Sequence, residues 1–180
     1  MVRQSAWFMP ALLAVRALAL PPWCIGAGAV RNLVWDTLHG HAEPSPLADI
    51  DVVYFDRSDA SVQRDAALQH QLLQTHPGLP WEVTNQAGVH HWFEAHFGHA
   101  VEPLQSLEDA VASWPEYATA VGVSLDEGGG VRVIAPFGLQ DLFGLVVRRN
   151  PRRVSLETYR QRVEQKAYAR RWPRVRVIGA

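Results

Sequence analysis

The chain has 180 residues, of which 48% are hydrophobic and 19% are charged, and its formal net charge is −1. This balance is typical of a globular protein with a substantial core and excludes a disordered chain. The only cysteine, Cys24, excludes a disulfide within the chain and lies in an apolar run, which predicts a buried structural thiol. We therefore expect one cytoplasmic domain over residues 1–180.

Helices and strands alternate in the first half of the chain. The first helix is predicted over residues 5–19, before Pro21-Pro22, and is too short for a membrane span, so we expect no membrane partner. The turn Gly26-Ala27-Gly28 opens the second helix, which runs to about Leu38. The remaining predictions are strands at 23–26, 50–55 and 81–86, a loop at 40–48, and helices at 60–75 and 88–97.

The second half of the chain carries a hairpin and a basic helix. Strands at 119–125 and 131–135 flank the turn Gly128-Gly129-Gly130. Ser155 is expected to cap a long helix over 156–171. Shorter helices are predicted at 106–114 and 139–146. The fold class is therefore α/β or α+β, with a mixed sheet flanked by helices. The core motifs lie in about 20–100, and the hairpin and basic helix lie in about 117–180.

The charges are distributed unevenly along the chain. Residues 1–147 hold 6 Lys+Arg and 16 Asp+Glu, whereas residues 148–180 hold 11 Lys+Arg and 2 Asp+Glu. This asymmetry indicates either a basic tail that docks on an acidic body or a basic surface for an anionic partner. Nucleic acid is a possible partner of the tail but not the favoured one, because few aromatic residues lie among its arginines.

A pair of carboxylates opens the strand predicted at 50–55. Residues two apart in a strand point to the same face, so Asp49 and Asp51 project side by side. Like charges at this distance repel unless a cation neutralises them, and Mg²⁺ prefers one or two carboxylates together with water and phosphates. The alternative interpretation is a polar start to a strand at the exit of a loop.

The glycine-rich turn upstream has the features of a phosphate site. Small residues at Gly26, Ala27 and Gly28 let the backbone approach a ligand, and the helix that follows offers free N–H groups. Arg31, early in that helix, adds a guanidinium. The segment lacks the Lys-Ser/Thr of a P-loop and the third glycine of a Rossmann turn. A tight turn that packs a helix on a sheet remains the alternative.

Order and spacing together resemble the nucleotidyltransferases of the DNA polymerase β superfamily, and above all the head domains of CCA-adding enzymes and poly(A) polymerases. Their glycine signature matches Gly26-Ala27-Gly28, and their Val-Arg-Asp matches residues 30–32, where Asn32 replaces the acid. Their metal-binding Asp-x-Asp matches Asp49 and Asp51, and their third carboxylate matches Glu82. As a whole, the chain resembles small bacterial nucleotidyltransferase-like proteins.

The resemblance implies a fold, a site and a reaction. It implies that Asp49 and Asp51 bind Mg²⁺ or Mn²⁺, with Glu82 as the third catalytic carboxylate. The turn at 26–28 with Arg31 and Asn32 would bind the nucleotide. An NTP would then transfer its nucleotide to an unknown acceptor and release pyrophosphate. The alternative is a nucleotidyltransferase-fold module that binds or regulates without catalysis.

Histidines are concentrated between His90 and His99. A zinc site needs three or four convergent ligands, and the Cys/His spacing of structural zinc sites is absent. The favoured interpretation is an amphipathic helix that partly buries Trp92, Phe93 and Phe97 and carries histidines at its rim. His90 or His91 could still reach a substrate from there.

Overall fold

The computed structural model describes the backbone of residues 1–180 and every side chain except those of residues 96 and 97. A five-stranded sheet has the order β3-β2-β1-β4-β5, in which β2 and β3 are parallel and the other neighbours antiparallel. Its strands are β1 (Trp23–Gly26), β2 (Ile50–Tyr54), β3 (Trp81–Asn85), β4 (Gly122–Leu125) and β5 (Val131–Ile134). The predicted mixed sheet flanked by helices is confirmed.

Eight α-helices are described around this sheet. They are α1 (Phe8–Arg16), α2 (Ala27–His39), α3 (Val62–Thr75), α4 (Val89–Phe97), α5 (Leu107–Val111), α6 (Gln140–Phe143), α7 (Leu156–Lys166) and α8 (Tyr168–Arg171). Two local signals set their ends: Gly40, in the left-handed region, ends α2, and the Ser61 hydroxyl caps α3 by accepting from the Arg64 N–H. Within the described chain, no helix combines the length and apolar character needed to cross a bilayer.

The hydrophobic core extends from the sheet to the C-terminal helices. Trp35 of α2 packs edge-on against Trp172, with ring centroids 5.2 Å apart, and both side chains are fully buried. The Trp172 indole N–H donates to Oδ1 of Asp36 over 2.7 Å. Cys24 is also fully buried, as predicted, and burial followed by the charge of Asp51 raises the pKa of its thiol. The end of the chain is therefore part of the same core as α2.

Four helix predictions are wrong in extent, and one of them, the helix expected at 106–114, covers only Leu107–Val111. The first helix covers only Phe8–Arg16, not 5–19, because the Ser5 hydroxyl accepts from the Phe8 N–H at its start and Ala19 has a left-handed backbone beyond its end. The helix expected at 139–146 ends at Phe143. The basic helix expected over 156–171 is broken at Ala167, whose φ of 47° is left-handed, so α7 and α8 are separate helices.

A second, small sheet lies in the C-terminal part of the chain and was not predicted. It pairs β6 (Val146–Arg148) in parallel with β7 (Arg176–Ile178). The predicted hairpin is present as β4 and β5, with Gly129 at φ 77° in the turn between them.

The basic tail docks on the acidic body. Three of its arginines form ion pairs with acids of the body; these pairs are Arg148–Asp141, Arg152–Asp109 and Arg162–Glu116. The Arg171 and Arg174 guanidinium groups donate to the backbone carbonyls of Pro46 and Leu38. Of the two interpretations of the charge asymmetry, these contacts favour the docked tail.

Candidate active site

The three predicted carboxylates lie at the start of two adjacent strands. Asp51 on β2 stands directly opposite Glu82 on β3 in the parallel register, so their side chains share one face of the sheet. Asp49 immediately precedes β2 and is two residues from Asp51, which puts it on the same face. β2 itself is held in place by the buried Ile50 and Val52 on either side of Asp51.

Electrostatics at Asp51 reflect this crowding. Burial, and after it the charges of Asp49 and Glu82, raise the pKa of Asp51 to about 7. Lys166 and Arg31 act in the opposite direction, but their effect is smaller. The Asp51 carboxyl is therefore harder to ionise than a free one, and a cation bound beside it would favour its charged form.

These carboxylates fit a divalent cation by the chemistry of their donors. Hard oxygen ligands in a crowded anionic cluster suit Mg²⁺ or Mn²⁺, which need only one or two carboxylates from the protein. Among the side chains that the structure describes, no three His, Cys, Asp or Glu converge closely enough to hold one ion. The donor set thus suits a cation that shares its coordination with water and phosphate oxygens, and it does not form a closed protein cage.

The glycine-rich turn leads from β1 into α2 beside the carboxylates. A Cβ on Gly28 would lie 3.6 Å from Nη2 of Arg31 and 3.8 Å from Oδ1 of Asp49, so this glycine faces the space between the two side chains. Ala27 has a φ of 49°, an unusual backbone for a residue with a side chain. Gly26 lies under the Trp114 ring, which a Cβ would meet at 2.2 Å. Gly28 and Ala27 line the pocket described below, whereas Gly26 supports the turn from beneath.

Arg31 and Asn32 are both buried in α2. The Arg31 guanidinium lies between Trp35, Tyr168 and Trp172, with its Cζ 5.2–5.7 Å from their ring centroids. Its Nη2 donates to Oδ1 of Asn32 over 2.7 Å, while its buried Nε has no partner among the described residues. Arg31 reaches the pocket wall and Asn32 does not. Asn32 therefore orients Arg31 from behind.

A cavity of about 710 Å³ brings the predicted residues together with others from the second half of the chain. One wall carries Ala27, Gly28, Arg31, Asp49, Asp51 and Glu82. A second wall is formed by one side of α7, with Thr158, Gln161, Arg162, Gln165 and Lys166. Trp92, Phe93, Trp114 and Arg153 also line the cavity. The volume is in the range of pockets that hold small molecules and cofactors.

Sequence reasoning missed the α7 wall. Its pocket-lining positions recur at helical spacing of three and four residues, which places them on one face of a helix. Lys166 is also the only lysine in the chain. These two features were available in the sequence, but only the tertiary structure shows that this face of α7 lines the same cavity as the carboxylates.

The histidines form no metal site in the part of the chain whose side chains are described. The His90 and His91 ring centroids are 3.9 Å apart with the ring planes tilted by 41°, and neither residue lines the cavity. Burial lowers the pKa of His90. The predicted helix is present as α4 and Phe93 is partly buried, but Trp92, also expected to be partly buried, is 42% exposed at the pocket wall. The side chains of His96 and Phe97 are outside the described residues.

Comparison with known proteins agrees with this geometry. A family described as "Nucleotidyltransferase" matches residues 13–177, and the chain therefore belongs to the nucleotidyltransferase family. The chain is an enzyme of that class. No curated protein sequence matches it.

Solved structures show the same fold. An NMR structure described as revealing a CCA-adding enzyme head domain is 30% identical, with a TM-score of 0.82 over 97% of this chain and 91% of that one. A CCA-adding enzyme in complex with CTP is 13% identical, with a TM-score of 0.56 over 98% of this chain and 41% of that one. The Thermotoga maritima CCA-adding enzyme bound to tRNA has 14% identity, a TM-score of 0.56 and coverage of 98% and 40%. The chain thus spans about two fifths of the length of these two enzymes.

Proposed function

We propose that the chain transfers a nucleotide from an NTP to an acceptor hydroxyl, with Mg²⁺ or Mn²⁺ as cofactor, and that residues 1–180 act together as one cytoplasmic domain. The observation that carries the proposal is the single cavity that the three carboxylates line together with Gly28, Arg31 and one face of α7. A single-domain arrangement is supported because β1 pairs with β4 and because α7 shares the cavity with β2. The absence of any possible intrachain disulfide suits the cytoplasm.

Each side chain has a role in this proposal. Asp49 and Asp51 would hold the cation, which when bound supplies charge neutralisation of the phosphates and lowers the pKa of the acceptor hydroxyl. Backbone N–H groups at the start of α2, with Arg31, bind phosphate oxygens. Asn32 fixes the guanidinium of Arg31 through the bond to Nη2.

The reaction is an in-line displacement at the α-phosphate. A bond forms from the acceptor oxygen to the α-phosphorus as the bond to the bridging β-phosphate oxygen breaks, and pyrophosphate leaves. Glu82 receives the proton of the acceptor hydroxyl, because it is the exposed member of the three carboxylates and can pass the proton to solvent.

Titration calorimetry with ATP, GTP, CTP and UTP, each with Mg²⁺ or Mn²⁺, tests the proposal. CTP has priority because one structural relative was solved with it. We expect metal-dependent binding by the wild type and loss of binding in Asp49→Ala/Asp51→Ala. The matched control is Glu43→Ala/Glu127→Ala, which removes two exposed carboxylates elsewhere and should bind as the wild type does. A folded wild type that binds no nucleotide would contradict the proposal.

The acceptor is then identified with NTP labelled at the α-phosphate. RNA 3′ ends belong in the screen because another relative was solved with tRNA. Nucleic acid is not the favoured acceptor, since much of the basic tail is engaged within the protein. Transfer of label that Glu82→Gln slows, with nucleotide affinity unchanged, would support the proton-accepting role of Glu82.

A further inference from the structure

The only lysine of the chain ends the α7 wall of the cavity. Lys166 is the last residue of α7 and half-buried, and the left-handed backbone of Ala167 ends the helix immediately after it. This break lets the next residue, Tyr168, turn onto Arg31 while Lys166 stays at the pocket wall. The fold thus holds Lys166 at the wall of the cavity that Arg31 also lines.

Lys166 differs from the other cations of the cavity because its side chain has no hydrogen-bond or ion-pair partner among the described residues. Arg162 is bonded to Glu116, Arg153 donates to the Glu102 carbonyl, and Arg31 donates to Asn32. Within the described part of the chain, the Lys166 side chain makes no hydrogen bond, and no Asp or Glu oxygen lies within 4.0 Å of its Nζ. An ammonium group that is partly removed from water without a partner is free to bind an anion.

The position of Lys166 also suits an anion between the two walls. Lys166 and Asp51 line the same cavity, and the charge of Lys166 acts to lower the pKa of Asp51, yet the two groups form no ion pair. The intervening space is continuous with the gap beside Gly28, which Arg31 and Asp49 border. A polyphosphate placed there would meet the start of α2 on one side and the Nζ of Lys166 on the other.

We propose that Lys166 binds the terminal phosphates of the nucleoside triphosphate, so that the α7 wall distinguishes a triphosphate from a monophosphate. This inference rests on the proposed nucleotidyltransferase function and deepens it by naming a phosphate-binding residue from the far end of the chain. The competing role for Lys166 is to neutralise the carboxylates without touching the nucleotide. In that role the number of phosphates on the ligand would not matter.

Calorimetry on Lys166→Met, Lys166→Arg and the wild type separates the two roles. With Mg²⁺ present, we expect Lys166→Met to lose about 10- to 100-fold in affinity for the NTP and to keep wild-type affinity for the matching NMP. Lys166→Arg should recover most of the NTP affinity, because it restores a cation. Arg160→Met, which removes a cation of α7 that does not line the cavity, is the matched control and should bind NTP as the wild type does.

A second measurement uses the wild type alone and does not depend on the folding of any variant. Because the chain has one lysine, acetylation by an amine-selective reagent can be followed at Lys166 by peptide mass spectrometry, separately from the N-terminal amine. We expect Mg²⁺–NTP to slow acetylation of Lys166 and Mg²⁺–NMP to leave its rate unchanged.

The outcomes are distinct. The role of Lys166 would be overturned if the wild type binds NTP but Lys166→Met loses NTP and NMP affinity equally, or if NTP does not slow the acetylation of Lys166. Either result would leave the proposed function standing. A folded wild type that binds no NTP would overturn both.

Discussion

The Arg162 guanidinium donates from Nε to Oε1 of Glu116 over 2.9 Å, and Glu116 has no exposed surface. The hydroxyl groups of Thr119 and Tyr168 donate to the same carboxylate at 2.8 and 3.3 Å. Through these bonds a residue of the acidic body holds α7 and α8, and with them the wall of the cavity that carries Lys166. The Glu116 carboxylate is therefore expected to matter for stability and for the shape of the site.

Replacement of Glu116 by Ala should lower the free energy of unfolding by about 3–5 kcal/mol, because it leaves the Arg162 guanidinium and two hydroxyl groups without their shared acceptor in the interior. Asp141→Ala is the control. It breaks a pair with Arg148, whose side chain is 53% exposed, and should lower the free energy of unfolding by less than about 1 kcal/mol. Urea denaturation of both variants measures the difference. Equal losses would show that the Glu116 cluster does not hold α7 in solution.

The carboxylate cluster predicts an unusual dependence of stability on pH. The pKa of Asp51 is about 7 in the folded protein, above its value of about 3.9 in an unfolded chain. The folded state therefore holds the proton more tightly. The stabilisation from that proton is complete below the unfolded pKa and is lost as the pH rises through about 7.

Urea denaturation in a chelator, at intervals between pH 5 and 8, checks this dependence. We expect the free energy of unfolding of the wild type to fall over this range, and that of Asp51→Asn to fall less. At pH 8 the variant should be more stable than the wild type by about 1–2 kcal/mol, as is common where a charged group is kept for function. Parallel curves for the two proteins would contradict the raised pKa of Asp51.

Many of the helices and strands could be predicted from the sequence because the local residue patterns agree with the tertiary structure. The buried run of β1, the turn at Gly26-Ala27-Gly28 and the glycine that ends α2 all act within a few residues. The predictions are wrong where contacts between residues far apart in the chain determine the local structure. β6 exists because it pairs with β7, which lies about 30 residues further on, and Ala167 breaks a helix although alanine is the best helix former.

The same distinction applies to the candidate site. The predicted proximity of Asp49 and Asp51 follows from strand geometry alone, and Glu82 joins them through the β2–β3 register. Nothing in a linear pattern places Lys166 in the same cavity, because its position depends on the bonds of α7 to Glu116. Asn32 is likewise buried because Trp35 and its neighbours pack around α2, which a linear pattern does not show.

A side chain at Gly28 should obstruct the proposed phosphate site. Its Cβ would be in ordinary contact with Arg31 and Asp49, so the branches of Gly28→Val would occupy the gap between them. We expect calorimetry to show that Mg²⁺–NTP affinity falls by at least about tenfold, or 1.4 kcal/mol. Gly78→Val is the control, because nothing lies within 4 Å of a Cβ at that position. Unchanged affinity in folded Gly28→Val would place the phosphates elsewhere.

The left-handed backbone of Ala27 predicts that a glycine there stabilises the protein. A residue with a Cβ costs about 1–2 kcal/mol in this region, whereas glycine adopts it freely. Glycine also costs about 0.5–1 kcal/mol through the extra freedom of the unfolded chain. Ala27→Gly should therefore raise the free energy of unfolding by about 0.5–1 kcal/mol and raise the Tm.

Ala29→Gly is the matched control, because Ala29 lies two residues further along the same helix, is fully buried and has no left-handed backbone. That variant should lose about 1 kcal/mol. Thermal unfolding followed by circular dichroism distinguishes the two. If both variants lose stability equally, the turn does not hold Ala27 in the left-handed region. If only Ala27→Gly gains, the alanine stores strain beside the phosphate site, as functional turns often do.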